Sequence, residues 1–238
     1  MKKNILLIFC IVIIIILMVM IINLVNTNNT NTKTNVFVAD KLIDVKPLCQ
    51  YPNLPTGCES VAATMVLNYL GSEITSEEFA YNWLSYSESF YYLDGKLYGP
   101  NPNEVFAGNP FTNDSYGCFS NVIINAINNH SSDYTAKSIT NTTLEELCKE
   151  YIDNNKPLLI WATMSMKESY DGDSWYFEDG SLFTWTAGEH CLVLVGYNKD
   201  FYFFNDPLSG SIVAYKKDIV KKRFIELGSQ AVYIYKNN

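Results

Sequence analysis

The chain has 238 residues, 48% of them hydrophobic, and a formal net charge of −8. That supplies apolar material for one sizeable core, and an acidic chain is a poor partner for nucleic acid, which rewards basic surfaces. From Lys41 onward 14 Lys and Arg stand against 24 Asp and Glu, which strengthens that exclusion.

Lys2-Lys3 precede an apolar run over 5–25, broken only by Cys10 and Asn23. As a helix this run spans about 30 Å, one bilayer core. A cleaved signal peptide has a shorter apolar stretch and small residues at its cut, and Asn23-Leu24-Val25-Asn26 offers none. Residues 1–25 are therefore expected to be an uncleaved transmembrane signal anchor, with the two lysines cytoplasmic. The chain would then be a single-pass cell-membrane protein with an extracytoplasmic domain. Residues 26–40, mostly Asn and Thr at first, read as a stalk without an apolar period. Residues 41–238 make one domain.

Helices come first. Leu54-Pro55-Thr56-Gly57-Cys58-Glu59-Ser60 ends a loop and opens a helix over 58–70. Val61, Met65 and Tyr69 recur at steps of four, and Gly71 stops it. Thr75-Ser76-Glu77-Glu78 is a capping box for a second helix. Residues 91–116, rich in Gly, Pro, Asn and Tyr, read as a long surface loop. A third helix covers 119–127. Thr142-Thr143-Leu144-Glu145-Glu146 caps a fourth, ending near Asn154-Asn155. Strands follow over 157–164, 190–197, 201–205, 211–215 and 231–235, with 165–188 as an inserted loop. Helices followed by a mostly antiparallel sheet make an α+β layout.

Cys58 falls in the first turn of its helix, among unpaired N–H groups and at the positive end of the dipole. Both lower a thiol pKa, and the thiolate is the reactive form. The chain has two histidines. His190 opens a strand, and the next strand ends at Asn205-Asp206-Pro207. The turn centred near Lys199 is about eight residues from each, so antiparallel pairing brings His190 and Asp206 to one end of the sheet. Adjacent strand residues face opposite ways, so either Asn205 or Asp206 can point at His190, and Asp206 is the stronger acceptor. Gln50, eight residues before Cys58, has a side-chain amide that can join the Cys58 N–H in an oxyanion hole.

Gln50 to Ser60, Glu189 to Tyr197 and Asn205-Asp206-Pro207-Leu208-Ser209-Gly210 together resemble papain-like cysteine peptidases of the bacteriocin-processing, double-glycine peptidase-like family. The resemblance covers about residues 41–235. It implies a papain-like fold, with an N-terminal helical part carrying the Cys and a C-terminal antiparallel sheet carrying the His and Asp. It also implies a catalytic set: Cys58 as nucleophile, His190 as general base, Asp206 orienting it and Gln50 lining the oxyanion hole. Transporter-linked members have Cys-Gly or Cys-Ala after an Asp, whereas in this chain Gly57 precedes and Glu59 follows Cys58. The chain also lacks a G-x-x-x-x-G-K-[ST] motif, so cleavage of double-glycine leaders does not carry over. The likeness is to stand-alone, exported relatives.

The expected function is hydrolysis of an amide bond in a peptide or protein substrate. The alternatives are a thiol amidase acting on another substrate, or a surface binding domain that has lost its chemistry. Trp185, near His190, is the aromatic expected to line the substrate cleft, ahead of Trp161, Trp175 and Tyr197. His130 reads as a helix-end cap. Cys49, Cys118, Cys148 and Cys191 read as buried thiols, although four cysteines allow three disulfide pairings. No C-x-x-C or H-x-x-x-H spacing points to a metal, and no cofactor is expected. The substrate's identity and the oligomeric state are not written in the sequence.

Overall fold

The structure is a computed structural model that describes residues 38–237. The apolar run over 5–25 and the Asn/Thr-rich segment up to residue 37 lie outside the described residues. Among those described, no helix is long and apolar enough to cross a membrane. The longest has 12 residues, about 18 Å against the roughly 30 Å of a bilayer core. The expected localisation as a single-pass cell-membrane protein with an extracytoplasmic domain is therefore corrected. The last residue assigned to the stalk is tied into the sheet, because the Asp40 N–H donates to the Tyr197 carbonyl at 3.0 Å.

In chain order the elements are β1 (Lys41–Leu42), α1 (Cys58–Tyr69), α2 (Ser76–Asn82), β2 (Tyr86–Ser87), β3 (Tyr91–Leu93), β4 (Lys96–Tyr98) and β5 (Phe106–Ala107). Then come α3 (Ser120–His130), β6 (Tyr134–Ile139), α4 (Leu144–Glu150), β7 (Leu158–Thr163), β8 (Tyr170–Tyr176) and β9 (Leu182–Ala187). The chain closes with β10 (Glu189–Tyr197), β11 (Phe201–Asp206), β12 (Ser211–Lys216), α5 (Lys217–Glu226) and β13 (Ala231–Lys236). The main sheet runs β12-β11-β10-β7-β13-β6, antiparallel throughout, and β1 pairs with the far end of β10. Helix α1 packs on β10 and β7, α3 on β6 and β13, and α5 on β7, β11 and β12.

Sequence explains the centre of this sheet well. Leu-Leu-Ile-Trp-Ala-Thr of β7 is buried at every position, and β10 at all but Tyr197. A strand covered on both faces needs no polar alternation, so both read as unbroken apolar runs. Both expected capping boxes are present, Thr75 with Glu78 and Thr143 with Glu146.

Two expected loops are revised, and two elements are added. The inserted loop over 165–188 is largely the hairpin of β8 and β9, and the loop over 91–116 contains β3, β4 and β5. Strands β3, β4, β8 and β9 form a second, four-stranded sheet. Its pattern is hard to read in the residues because β8 buries only Trp175 fully and shifts register between Asp171 and Ser174, which breaks the period of two. Helix α5 and strand β6 were not expected. Helix α5 has no side-chain N-cap and buries only Val220, Arg223 and Phe224, too narrow a stripe to stand out among its lysines.

The register of β10 shifts between Leu194 and Gly196, where β1 crosses it. A Cβ on Gly196 would collide with the Lys41 carbonyl oxygen. Gly196→Ala is expected to destabilise the domain by about 1–3 kcal/mol, as overpacking does. Urea unfolding measures this, and an unchanged midpoint would contradict the close crossing.

Candidate active site

Cys58 is the first residue of α1, with Gly57 before it and no side-chain cap. The segment leading to it is wound tightly: the Leu54 N–H donates to the Gln50 carbonyl at 2.8 Å, and the Gly57 N–H to the Leu54 carbonyl at 2.9 Å. These bonds fold the eight steps from Gln50 to Cys58 into a compact loop. Packing of α1 on β10 sets the sulfur against that strand, where the Cys191 N–H donates to Cys58 Sγ at 3.5 Å.

The helix start was expected to lower the thiol pKa, and that is corrected. Burial pushes the Cys58 thiol well above its ordinary value, and the neighbouring Glu59, Glu189 and Cys191 add to the rise. The Cys191 N–H acts in the opposite direction and is outweighed. A helix dipole of about half a charge cannot offset removal from water beside two carboxyl groups. The S–H bond points to Glu59 Oε2 at 3.3 Å, so its acceptor in this structure is Glu59 and not His190.

His190 Nε2 lies 2.7 Å from Asp206 Oδ1, and both side chains are buried. The pairing of Val193 with Asn205 puts Asp206 across from Leu192, and His190 is the next residue on the same face of β10. A carboxylate only accepts, so Nε2 carries the hydrogen of this bond. Asp206 Oδ1 also accepts from the Leu208 N–H at 2.9 Å, which fixes the carboxylate before it meets the ring. Asn205 faces the other way, and its Nδ2 donates to the Val45 carbonyl at 2.7 Å.

Gln50 is buried against the turn that follows Asp206. Its N–H donates to the Pro207 carbonyl at 2.8 Å and its Nε2 to the Pro55 carbonyl at 2.6 Å, while Oε1 has no partner. Trp185 was expected in a substrate cleft. The structure places it in a buried aromatic cluster, 6% exposed and stacked on Phe119 at 5.6 Å. Trp161 and Trp175 are fully buried too. His130 ends α3 with Nδ1 3.0 Å from the Ala126 carbonyl oxygen. Cys118, Cys148 and Cys191 are buried free thiols, whereas Cys49 is exposed and also free.

Sequence reasoning missed Glu59 and Glu189, the residues next to Cys58 and His190. Both are buried. Glu59 Oε1 accepts the Cys118 N–H at 2.6 Å. Burial raises its pKa to about 7, although the hydrogen bonds it accepts lower it. Burial, and then the charge of Glu59, raise Glu189 as well. A donor atom from each of Cys58, Glu59 and Glu189 lies within 4.8 Å of the others. Two of the three groups are already engaged, the thiol with Glu59 and Glu59 with the Cys118 N–H. Of the two carboxyl groups, Glu189 alone has an oxygen, Oε1, that is buried without a partner. The one sequence signal was two glutamates flanking the two reactive residues, and only the docking of α1 on β10 brings them together.

Comparison with known proteins agrees with this architecture. The Peptidase_C39 like family matches residues 42–232. The uncharacterized protein YvpB of Bacillus subtilis (strain 168) is 26% identical over 193 residues, 78% of this chain and 71% of that protein. A crystal structure from Bacillus anthracis, provisionally described as a C39-like peptidase, superposes with a TM-score of 0.72 at 26% identity. It covers 84% of this chain and 99% of that one. By sequence span and by fold, the chain belongs to the C39-like, papain-like peptidase family.

Proposed function

We propose that the chain is a cysteine peptidase whose catalytic unit is the domain from residue 41 to 238. The observation that carries this reading is the His190–Asp206 bond of 2.7 Å on the strand whose next N–H reaches the Cys58 sulfur. With Nε2–H committed to Asp206, Nδ1 is the ring nitrogen left to take a proton from Cys58. The thiolate then attacks the carbonyl carbon of a peptide or protein substrate. His190 returns the proton to the leaving amine as the C–N bond breaks, and water hydrolyses the thioester. The second hydrogen of Gln50 Nε2 and the Cys58 N–H supply the oxyanion donors. In the resting site the sulfur is a thiol bonded to Glu59, so activation requires that proton to move to His190.

Turnover of a fluorogenic peptide library by the full chain tests this reading. Cys58→Ser and His190→Ala should each lose at least about 10³-fold in kcat. Gln50→Ala should lose about 10²–10³-fold, the usual loss of one oxyanion donor. Circular dichroism checks that each variant folds. Wild-type turnover in folded Cys58→Ser or His190→Ala would refute the assignment. A wild-type chain that cleaves no amide in the library would favour a binding domain on the same fold.

A further inference from the structure

Peptide hydrolysis by Cys58, His190, Asp206 and Gln50 leaves two buried acids without a task. Glu59 and Glu189 come from different elements, α1 and β10, and meet beside the Cys58 sulfur. Gly117 marks how closely they meet. A Cβ built on it would lie 2.7 Å from Glu59 Oε1 and 2.9 Å from Glu189 Oε2, so the carboxyl groups occupy the space a side chain would need. The backbone there has φ +151, which glycine adopts without strain. Glu189 Oε1 is buried and has no hydrogen-bond partner.

Two carboxylates in one buried space repel each other, so something positive must sit between them. The titratable groups facing the pair are Cys58 from α1, Cys118 ahead of α3 and Cys191 from β10, all thiols. His190 adjoins Glu189 in sequence, but its Nε2 is committed to Asp206. No lysine or arginine is among the groups that shift Glu59 or Glu189. A metal ion at these donors would have to displace the Cys58 S–H proton from its bond to Glu59. A proton fits without displacing any bond already made.

We propose that Glu59 and Glu189 share a proton at neutral pH, and that Glu59, as acceptor of the Cys58 S–H bond, is a further catalytic residue that holds the nucleophile in its thiol form. Glu189 is a positioning residue that acts through Glu59. The catalytic role of Glu59 rests on Cys58 being the nucleophile; the shared proton does not. Carboxylate charge beside a thiol opposes the thiolate. As pH rises and the pair loses its shared proton, ionising Cys58 becomes harder. Removing either carboxyl group should let the thiolate form at lower pH.

Two measurements on the full chain test this. The first is the rate of iodoacetamide alkylation at Cys58, mapped by mass spectrometry from pH 5 to 10. Glu59→Gln and Glu189→Gln should each move the profile to lower pH by about one unit or more. The second is the infrared band of protonated carboxyl groups at pH 7. The wild type should show it, and the Glu59→Gln/Glu189→Gln double variant should lose it. A wild type without that band, or an unmoved profile in folded Glu189→Gln, would overturn the proposal. So would a stoichiometric metal ion, found by elemental analysis and removed together with the alkylation shift by a chelator. Neither readout uses peptide turnover, so a chain inactive on peptides that shows both effects fails the peptidase reading and not this one.

Discussion

Burial of β10 is the constraint on which the rest depends. Eight of its nine residues are inaccessible, held between β7 and β11 with α1 laid across them. Three consecutive residues at its start meet three different partners: Glu189 faces Glu59, His190 bonds Asp206, and the Cys191 N–H reaches Cys58. A strand in the middle of a sheet cannot slip by one residue without turning its whole apolar set outward. The apolar core therefore fixes the relative positions of these groups.

That solution has an electrostatic consequence. A thiol, an imidazole and three carboxyl groups sit where water cannot stabilise their charges. All but Glu189 are matched by a short-range partner: Asp206 by the His190 ring and the Leu208 N–H, Glu59 by the Cys118 N–H and the Cys58 S–H. Glu189 Oε1, beside the Cys58 sulfur, remains unmatched, as do Gln50 Oε1, Ser60 Oγ, Asn205 Oδ1 and Arg223 Nε elsewhere among the buried polar atoms. Buried polar atoms without partners are uncommon in folded proteins, and each calls for a physical cause. In the arrangement we propose, Cys58 at rest is a guarded thiol whose S–H bond is accepted by Glu59.

Much of this was legible in the residues, for identifiable reasons. The continuous apolar runs of β7 and β10 mark strands covered on both faces, and the capping boxes mark helix starts through their own local bonds. The eight-residue symmetry about Lys199 brought His190 and Asp206 together, because a tight antiparallel turn leaves few other registers. Other features depend on contacts that no local pattern encodes. The β8–β9 hairpin buries one residue in each strand and has one bulge, α5 has a narrow buried stripe, and Glu59 meets Glu189 only through the packing of α1 on β10. The thiol pKa went the other way from the helix-dipole expectation, since depth of burial is a property of the assembled fold.

Strand β10 presents His190 with Nε2–H given to Asp206, and the peptidase mechanism we propose turns on that tautomer, which leaves Nδ1 for Cys58. The chain has only two histidines, so imidazole ¹⁵N NMR of the full chain resolves both rings. The expected result is a neutral His190 protonated on Nε2, a preference that Asp206→Ala removes and Asn205→Ala does not. A neutral His190 protonated on Nδ1, or a ring indifferent to Asp206→Ala, would contradict it.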